Sequence, residues 1–230
     1  MKKIQPHSFQ TWGLKEFNVY KKRLKKVRLI WPQQILDLLK NYKINKINDL
    51  GCNYFQLYKE IKLRKLKYNY FGYDNEKKFI NLGLNEFKEL NKKHILGDLE
   101  KINFRKCDCT IISATLEHLK NPLHVLKKIV KSTKKVIIIR SSFGIDDDIS
   151  TYSSAEAIIY SNRKKITNYG KANAKTLYNQ YSFKKTYDFF VSKGFELNFI
   201  LDKATYFSQS FKLLDKKKKR NIYICLATKK

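Results

Sequence analysis

The stretch Lys46-Ile47-Asn48-Asp49-Leu50-Gly51-Cys52-Asn53-Tyr54-Phe55 decides the architecture. A short run closing on an acid and a glycine reads as a buried strand entering a tight turn. Leu57, Tyr58 and Ile61 then recur at helical spacing. The same rhythm continues downstream. Tyr68–Asp74 reads as a strand, Ile80, Leu84, Phe87 and Leu90 as a helical face, and His94–Gly97 as a short strand. Cys109–Ser113 is a buried-type strand, Leu119, Leu123, Leu126, Ile129 and Val130 form a helical face, and Lys135–Ile139 is another strand. Strands alternating with amphipathic helices predict an α/β chain with a mostly parallel sheet covered on both faces. Upstream, Pro32 opens a helix reaching about Tyr42, and Leu14–Ile30 is basic and helical. Downstream, Ser141–Lys175 is a long polar insertion. Phe183, Tyr187, Phe190 and Val191 mark a helix that Gly194 terminates, and Phe195–Leu201 and Asn221–Thr228 are β runs. The expected division is an N-terminal helical extension or lid over 1–43 and a main domain over 44–230, with a substrate-side insertion at about 141–180.

The 230 residues allow one sizeable core. Hydrophobic residues at 43% argue against disorder despite 30% charge. No apolar run is long enough to cross a membrane, and no apolar segment follows the N-terminal lysines as a signal peptide requires. Lys and Arg total 49 against 20 acids, a net charge of +29, which makes nucleic acid an obvious candidate partner. Only 7 of the 49 are Arg, the residue suited to bidentate phosphate and base contacts. A general bias toward Lys, Asn and Ile explains the charge more simply. The run Lys216–Arg220 is accordingly read as a solvated loop. Cys52, Cys107, Cys109 and Cys225 form neither a disulfide framework nor a zinc-type pair of pairs, so a reduced, cytoplasmic setting without a metal is expected.

In open α/β sheets, ligands bind beyond the carboxyl ends of the strands. Those ends carry Asp49 and Gly51, then Asp74, then Asp98, then Ser113, Ala114, Thr115, Leu116, Glu117 and His118. A glycine at the first turn permits close backbone approach. An acid about 20 residues later accepts ribose hydroxyls. Asp98 can accept from an adenine amino group.

Taken together, Asp49-Leu50-Gly51-Cys52, Tyr70-Phe71-Gly72-Tyr73-Asp74, Gly97-Asp98-Leu99 and Ile112 through Pro122 resemble the four motifs of the class I S-adenosylmethionine-dependent methyltransferases. The last contains the Leu116-Glu117-His118-Leu119 segment typical of the small-molecule type. The resemblance spans about Ile44–Ala227. It implies a three-layer Rossmann-like fold of seven strands, the last antiparallel and entering between the fifth and sixth. It also implies S-adenosyl-L-methionine as cofactor and S-adenosyl-L-homocysteine as product. Carried onto this sequence, Asp49 and Gly51 line the methionine end, Asp74 binds the ribose, Asp98 and Leu99 read the adenine, and Ser113 and Thr115 flank the methyl. Cys52, Asn53 and Asn75 complete the cofactor set. The family continues its first motif Gly-x-Gly-x-Gly, whereas here Asn53 and Phe55 occupy the second and third positions. Asn53 tolerates a left-handed turn, and Phe55 is expected to pack on the sheet.

His118 follows the fourth strand and is the candidate general base. Glu117 is the second candidate, and His124 is expected on the helix surface. Arg140, Tyr178, Asn179 and Tyr181 are candidate substrate contacts. Arg140 can alternatively pair with Asp146, Asp147 or Asp148, and Asn179 or Ser182 can simply start the following helix. Gln10 and Trp12 are candidate lid residues. The expected function is methyl transfer to a small molecule or a sugar of a surface polysaccharide or glycolipid. A nucleic-acid methyltransferase and a cofactor-binding, non-catalytic homologue are the alternatives.

Overall fold

The computed structural model describes residues 21, 24–25, 28–148, 151–153, 157–161, 164–166, 175–204, 212–213 and 221–230. Gln10, Trp12, Lys216–Arg220 and most of Leu14–Ile30 lie outside them. In chain order the elements are α1 (Ile30–Leu39), β1 (Lys46–Leu50), α2 (Gln56–Leu63), β2 (Asn69–Asp74), α3 (Lys77–Glu86), β3 (His94–Leu96) and β4 (Cys107–Ser113). They continue with α4 (Pro122–Ser132), β5 (Thr133–Gly144), β6 (Thr151–Ser153), β7 (Ala157–Ser161), β8 (Lys164–Ile166), β9 (Lys175–Leu177) and β10 (Tyr181–Ser182). The last are α5 (Phe183–Val191), β11 (Phe195–Leu201), β12 (Lys212–Leu213) and β13 (Ile222–Lys229).

The main sheet runs β11-β13-β5-β4-β1-β2-β3, with β10 beside the end of β5. β1–β5 are mutually parallel where they pair, and β13 is antiparallel to both β5 and β11. The last strand thus enters between the fifth and the penultimate strand, as the resemblance implies. Alternation along each strand assigns side chains to opposite faces. Val136 and Ile138 of β5 and Ile224 of β13 join Ile35, Leu57, Ile61 and Ile80 from α1–α3. Ile137, Ile139 and Cys225 join Val125, Ile129 and Phe190 from α4 and α5. Three layers result.

Most predicted elements appear within a few residues of their expected bounds. The main difference is β5, which runs on through Ser141, Ser142 and Phe143 to Gly144. Its polar residues hid it from hydropathy patterning, yet Ser141 and Ser142 are fully buried in the sheet. Within the remaining insertion β6 pairs with β9 and β7 with β8, and β7 also pairs with β12 from beyond it.

Charge separates along the strand direction. β1–β5 begin beside exposed cations: Lys43 and Lys46, Lys65 and Lys67, Lys92 and Lys93, Arg105 and Lys106, Lys134 and Lys135. Several cap carbonyls at this edge, such as Lys106 Nζ on Lys131 O (2.6 Å) at the end of α4 and Lys135 Nζ on Lys43 O (2.7 Å). The opposite ends of the strands carry Asp49, Asp74, Asp98 and, past β5, Asp146–Asp148.

Candidate active site

The carboxyl ends of the strands enclose a cleft of about 420 Å³, within the size range of small-ligand sites. Its first wall is the turn after β1. Gly51, Asn53 and Phe55 all have left-handed backbones, with φ of 73°, 53° and 62°. The turn therefore keeps the positive-φ geometry that favours glycine although two of the three residues carry side chains. At Gly51 a side chain is excluded, because a Cβ would lie 2.0 Å from Thr115 Oγ1. Gly51 N and Cys52 N both donate to Tyr73 O, at 2.8 and 2.9 Å, which ties the turn to the end of β2. Phe55 is fully buried, in the space left open by Gly72 of β2 and Gly83 of α3.

The acids follow in order. Asp49 is buried and accepts from Tyr70 Oη (2.7 Å). Desolvation, opposed by that hydrogen bond and reinforced by Asp74, pushes its carboxyl up to about 7. Asp74 ends β2, accepting from Asn53 N at Oδ2 (2.7 Å) and Glu76 N at Oδ1 (2.8 Å). Burial again dominates, raising its carboxyl to about 6 against the backbone donors that lower it. Each oxygen of Asp74 retains acceptor capacity for a diol. Asp98, in the turn after β3, holds Glu100 N on Oδ1 (2.9 Å). Asn75, Leu99, Ser113 and Thr115 line the same cleft, so all ten sequence-predicted cofactor residues share one wall system.

His118 also lines the cleft, at the end of a single 3-10 turn, Leu116–His118. Its Nδ1 lies 2.7 Å from Leu177 O. A carbonyl only accepts, so Nδ1 carries the proton and the neutral ring has its lone pair on Nε2. Burial lowers the imidazole below its usual value, against Glu117 and the Leu177 carbonyl, which favour the charged form. Glu117 itself is buried outside the cleft and accepts from Ser141 Oγ (2.7 Å). His124 is exposed, as expected.

The expected substrate residues divide. Arg140 reaches the cleft, but its partner is Asp202 rather than the acids after β5: Nε to Oδ1 3.0 Å and Nη2 to Oδ2 2.8 Å, both residues buried. Asp147 instead binds Ser182 N and Lys185 Nζ, each at 2.7 Å. Gln34 of α1 brackets Asp202, donating to Leu201 O (3.0 Å) and accepting from Lys203 N (2.9 Å). Tyr178, Asn179 and Tyr181 do not line this cleft. Tyr178 packs on the His118 ring, Tyr181 Oη donates to Leu116 O (2.6 Å), and Asn179 Nδ2 donates to Leu119 O (3.1 Å). Ser182, not Asn179, caps α5. Sequence reading missed Trp31, Gln56, Phe79 and Leu177 in the cleft wall. Trp31 falls between the two helical segments read from the sequence, Leu14–Ile30 and the helix opened by Pro32, so nothing aimed it at the strand ends.

A family model described as a methyltransferase domain matches residues 48–137. Among solved structures, the chain is similar to an S-adenosylmethionine-dependent methyltransferase from Clostridium acetobutylicum ATCC 824, with TM-score 0.59, 12% identity, and coverage of 94% of this chain and 98% of that one. It is also similar to an amino pentose methyltransferase from Micromonospora echinaspora involved in calicheamicin biosynthesis (TM-score 0.58, 11% identity, 95% and 98% covered). A third is a glycopeptide N-methyltransferase complexed with S-adenosylmethionine (TM-score 0.57, 7% identity, 86% and 87% covered). No curated protein matches the chain. Residues 48–137 thus match the methyltransferase-domain family, and the chain as a whole has the fold of the class I S-adenosylmethionine-dependent methyltransferases.

Proposed function

We propose that the cleft binds S-adenosyl-L-methionine and that the chain transfers its methyl group to a small molecule or a sugar of a surface polysaccharide or glycolipid, releasing S-adenosyl-L-homocysteine. The carrying observation is the pair of desolvated carboxylates, Asp49 and Asp74, beside a turn where a Cβ on Gly51 would collide with Thr115. Such acids call for a cationic ligand with a diol, and the close backbone approach suits an extended one. When bound, the cofactor supplies an electrophilic methyl on a sulfonium. Asp74 accepts the ribose hydroxyls, Asp98 and Leu99 meet the adenine, and Gly51, Ser113 and Thr115 border the methionine. His118 takes the proton of an acceptor hydroxyl on Nε2. Orientation of the acceptor against this wall supplies much of the remaining barrier lowering.

The charged lining of the cleft is mainly acidic: Asp49, Asp74, Glu76, Asp98 and Glu100 against Lys101, Lys120 and the paired Arg140. That disfavours a phosphate polymer as acceptor. Two of the similar structures are of methyltransferases named for an amino pentose and a glycopeptide, which supports a small polar acceptor. Among the described residues no helix can cross a membrane, and the four cysteines are buried and unbridged, which supports a cytoplasmic setting.

Calorimetry with both cofactor forms tests the reading. Asp74→Ala, which removes two charged hydrogen bonds at about 1.5 kcal/mol each, should weaken binding about a hundredfold. Unchanged affinity would refute the ribose assignment, and no binding by the wild-type chain would refute the enzyme. Transfer of labelled methyl into fractionated cell extract then identifies the acceptor class.

A further inference from the structure

His118 stands on a turn that cannot hold its own shape. One 3-10 turn closes too few hydrogen bonds to be stable alone, and Leu119 after it is already extended. The end of β9 and the segment after it grip this turn at four points. Leu177 O faces His118 Nδ1 at 2.7 Å, and Tyr181 Oη donates to Leu116 O at 2.6 Å. Asn179 supplies the other two. Its backbone N–H donates to Glu117 O (2.8 Å) and its side-chain Nδ2 to Leu119 O (3.1 Å). The carbonyls on either side of His118 are therefore held by one residue.

Asn179 is 4% exposed, and its Oδ1 has no hydrogen-bond partner. The amide cannot be turned over to relieve this, since Oδ1 would then face the Leu119 carbonyl, acceptor against acceptor. A buried acceptor left bare is costly, so the side chain is retained here for its donor alone.

We infer that Asn179 is a positioning residue for His118. It seats the turn against the chain after β9 so that the imidazole gives its Nδ1 proton to Leu177 and presents Nε2 to the cleft. The inference rests on the base role proposed for His118. It moves Asn179 from an expected substrate contact to a support of the group that receives the proton. Asn179 thereby bears on the chemistry without lining the cleft itself, while Leu177, two residues before it, ends the strand whose last carbonyl sets the tautomer.

The test is imidazole nitrogen NMR of the full chain with labelled histidine, the His118 signal being identified by its loss in His118→Gln. The wild-type ring should show a protonated Nδ1 and an unprotonated Nε2. Asn179→Ala should lose that preference, giving a mixture dominated by the Nε2–H form. Cofactor affinity should stay within twofold, and label transfer into the responsive extract fraction should slow about tenfold or more. The near-isosteric Asn179→Asp, which keeps the backbone N–H but removes the donor, should act the same way and serves if the alanine variant does not fold. A wild-type tautomer in a folded variant would overturn the positioning role. Failure of the base reading looks different: His118→Gln would then turn over normally, whatever the tautomer in the Asn179 variants.

Discussion

Asp49 and Asp74 each pay for burial with a raised carboxyl pKa, and this gives the site a pH signature with two opposed signs. Their folded values of about 7 and about 6 stand above the usual unfolded value near 3.9. Between about pH 4 and pH 7 these two carboxyls bind more protons in the folded chain than in the unfolded one. These two groups therefore add stability at the acid end of that window, and the contribution is lost as pH rises through their folded values. A cationic cofactor needs the ionised forms, so its affinity moves the other way. It should fall about tenfold or more between pH 7.5 and 5.5, with protons released on binding near pH 6. Calorimetry in buffers of different ionisation enthalpy measures both, and a pH-independent affinity would contradict the pairing of these acids with positive charge. The sequence revealed both aspartates because each closes a strand. It did not reveal Tyr70 as the partner of Asp49, since that contact depends on how β1 and β2 sit side by side.

The turn from β1 into α2 shows how an element tolerates the loss of its glycines. Phe55 sits at φ 62°, yet its ring fills the concavity above Gly72 and Gly83, where a Cβ on Gly83 would lie 2.3 Å from Phe55 Cδ2. The side chain and the missing side chains around it form one fitted set. Phe55→Ala should cost about 3–5 kcal/mol in urea denaturation, and Phe55→Gly about 1 kcal/mol less, because the left-handed strain is relieved. Gly83→Ala should be strongly destabilising beside Phe55 and nearly neutral beside Phe55→Ala. An equal cost in both backgrounds would show that the fit is not there. The departure at position 55 was visible in the sequence, but its compensation at Gly72 and Gly83 was not, being a matter of packing across 17 and 28 residues. The same holds for Arg140, whose partner Asp202 lies 62 residues on, and for Ser141 and Ser142, whose polarity concealed strand. Tyr178, Asn179 and Tyr181 read as ligand contacts because polar residues before a helix near the strand ends fit that role. Only the fold shows them turned toward the His118 turn.

On the scale of the molecule, strand rhythm and strand-end acids made the class I topology legible, including the reversed last strand, while the lysine excess gave no reading of its own. Among the described residues the structure gives that excess a direction: lysines ring the edge where the parallel strands begin, and acids gather where they end. The far field of a +29 chain repels a cofactor of net positive charge, while the acidic cleft attracts it only at short range. The association rate for S-adenosyl-L-methionine should therefore rise as ionic strength goes from about 0.01 to 0.15 M, where the screening length shrinks from about 30 to 8 Å. Stopped-flow fluorescence, with Trp31 in the cleft wall as reporter, follows it. A rate that falls with salt would mean the cleft's own field governs the approach. The separated charges also act as a compass needle. For the described residues, electrostatic torque near a negatively charged surface acts to turn the lysine-ringed edge inward and the acidic cleft toward the solution.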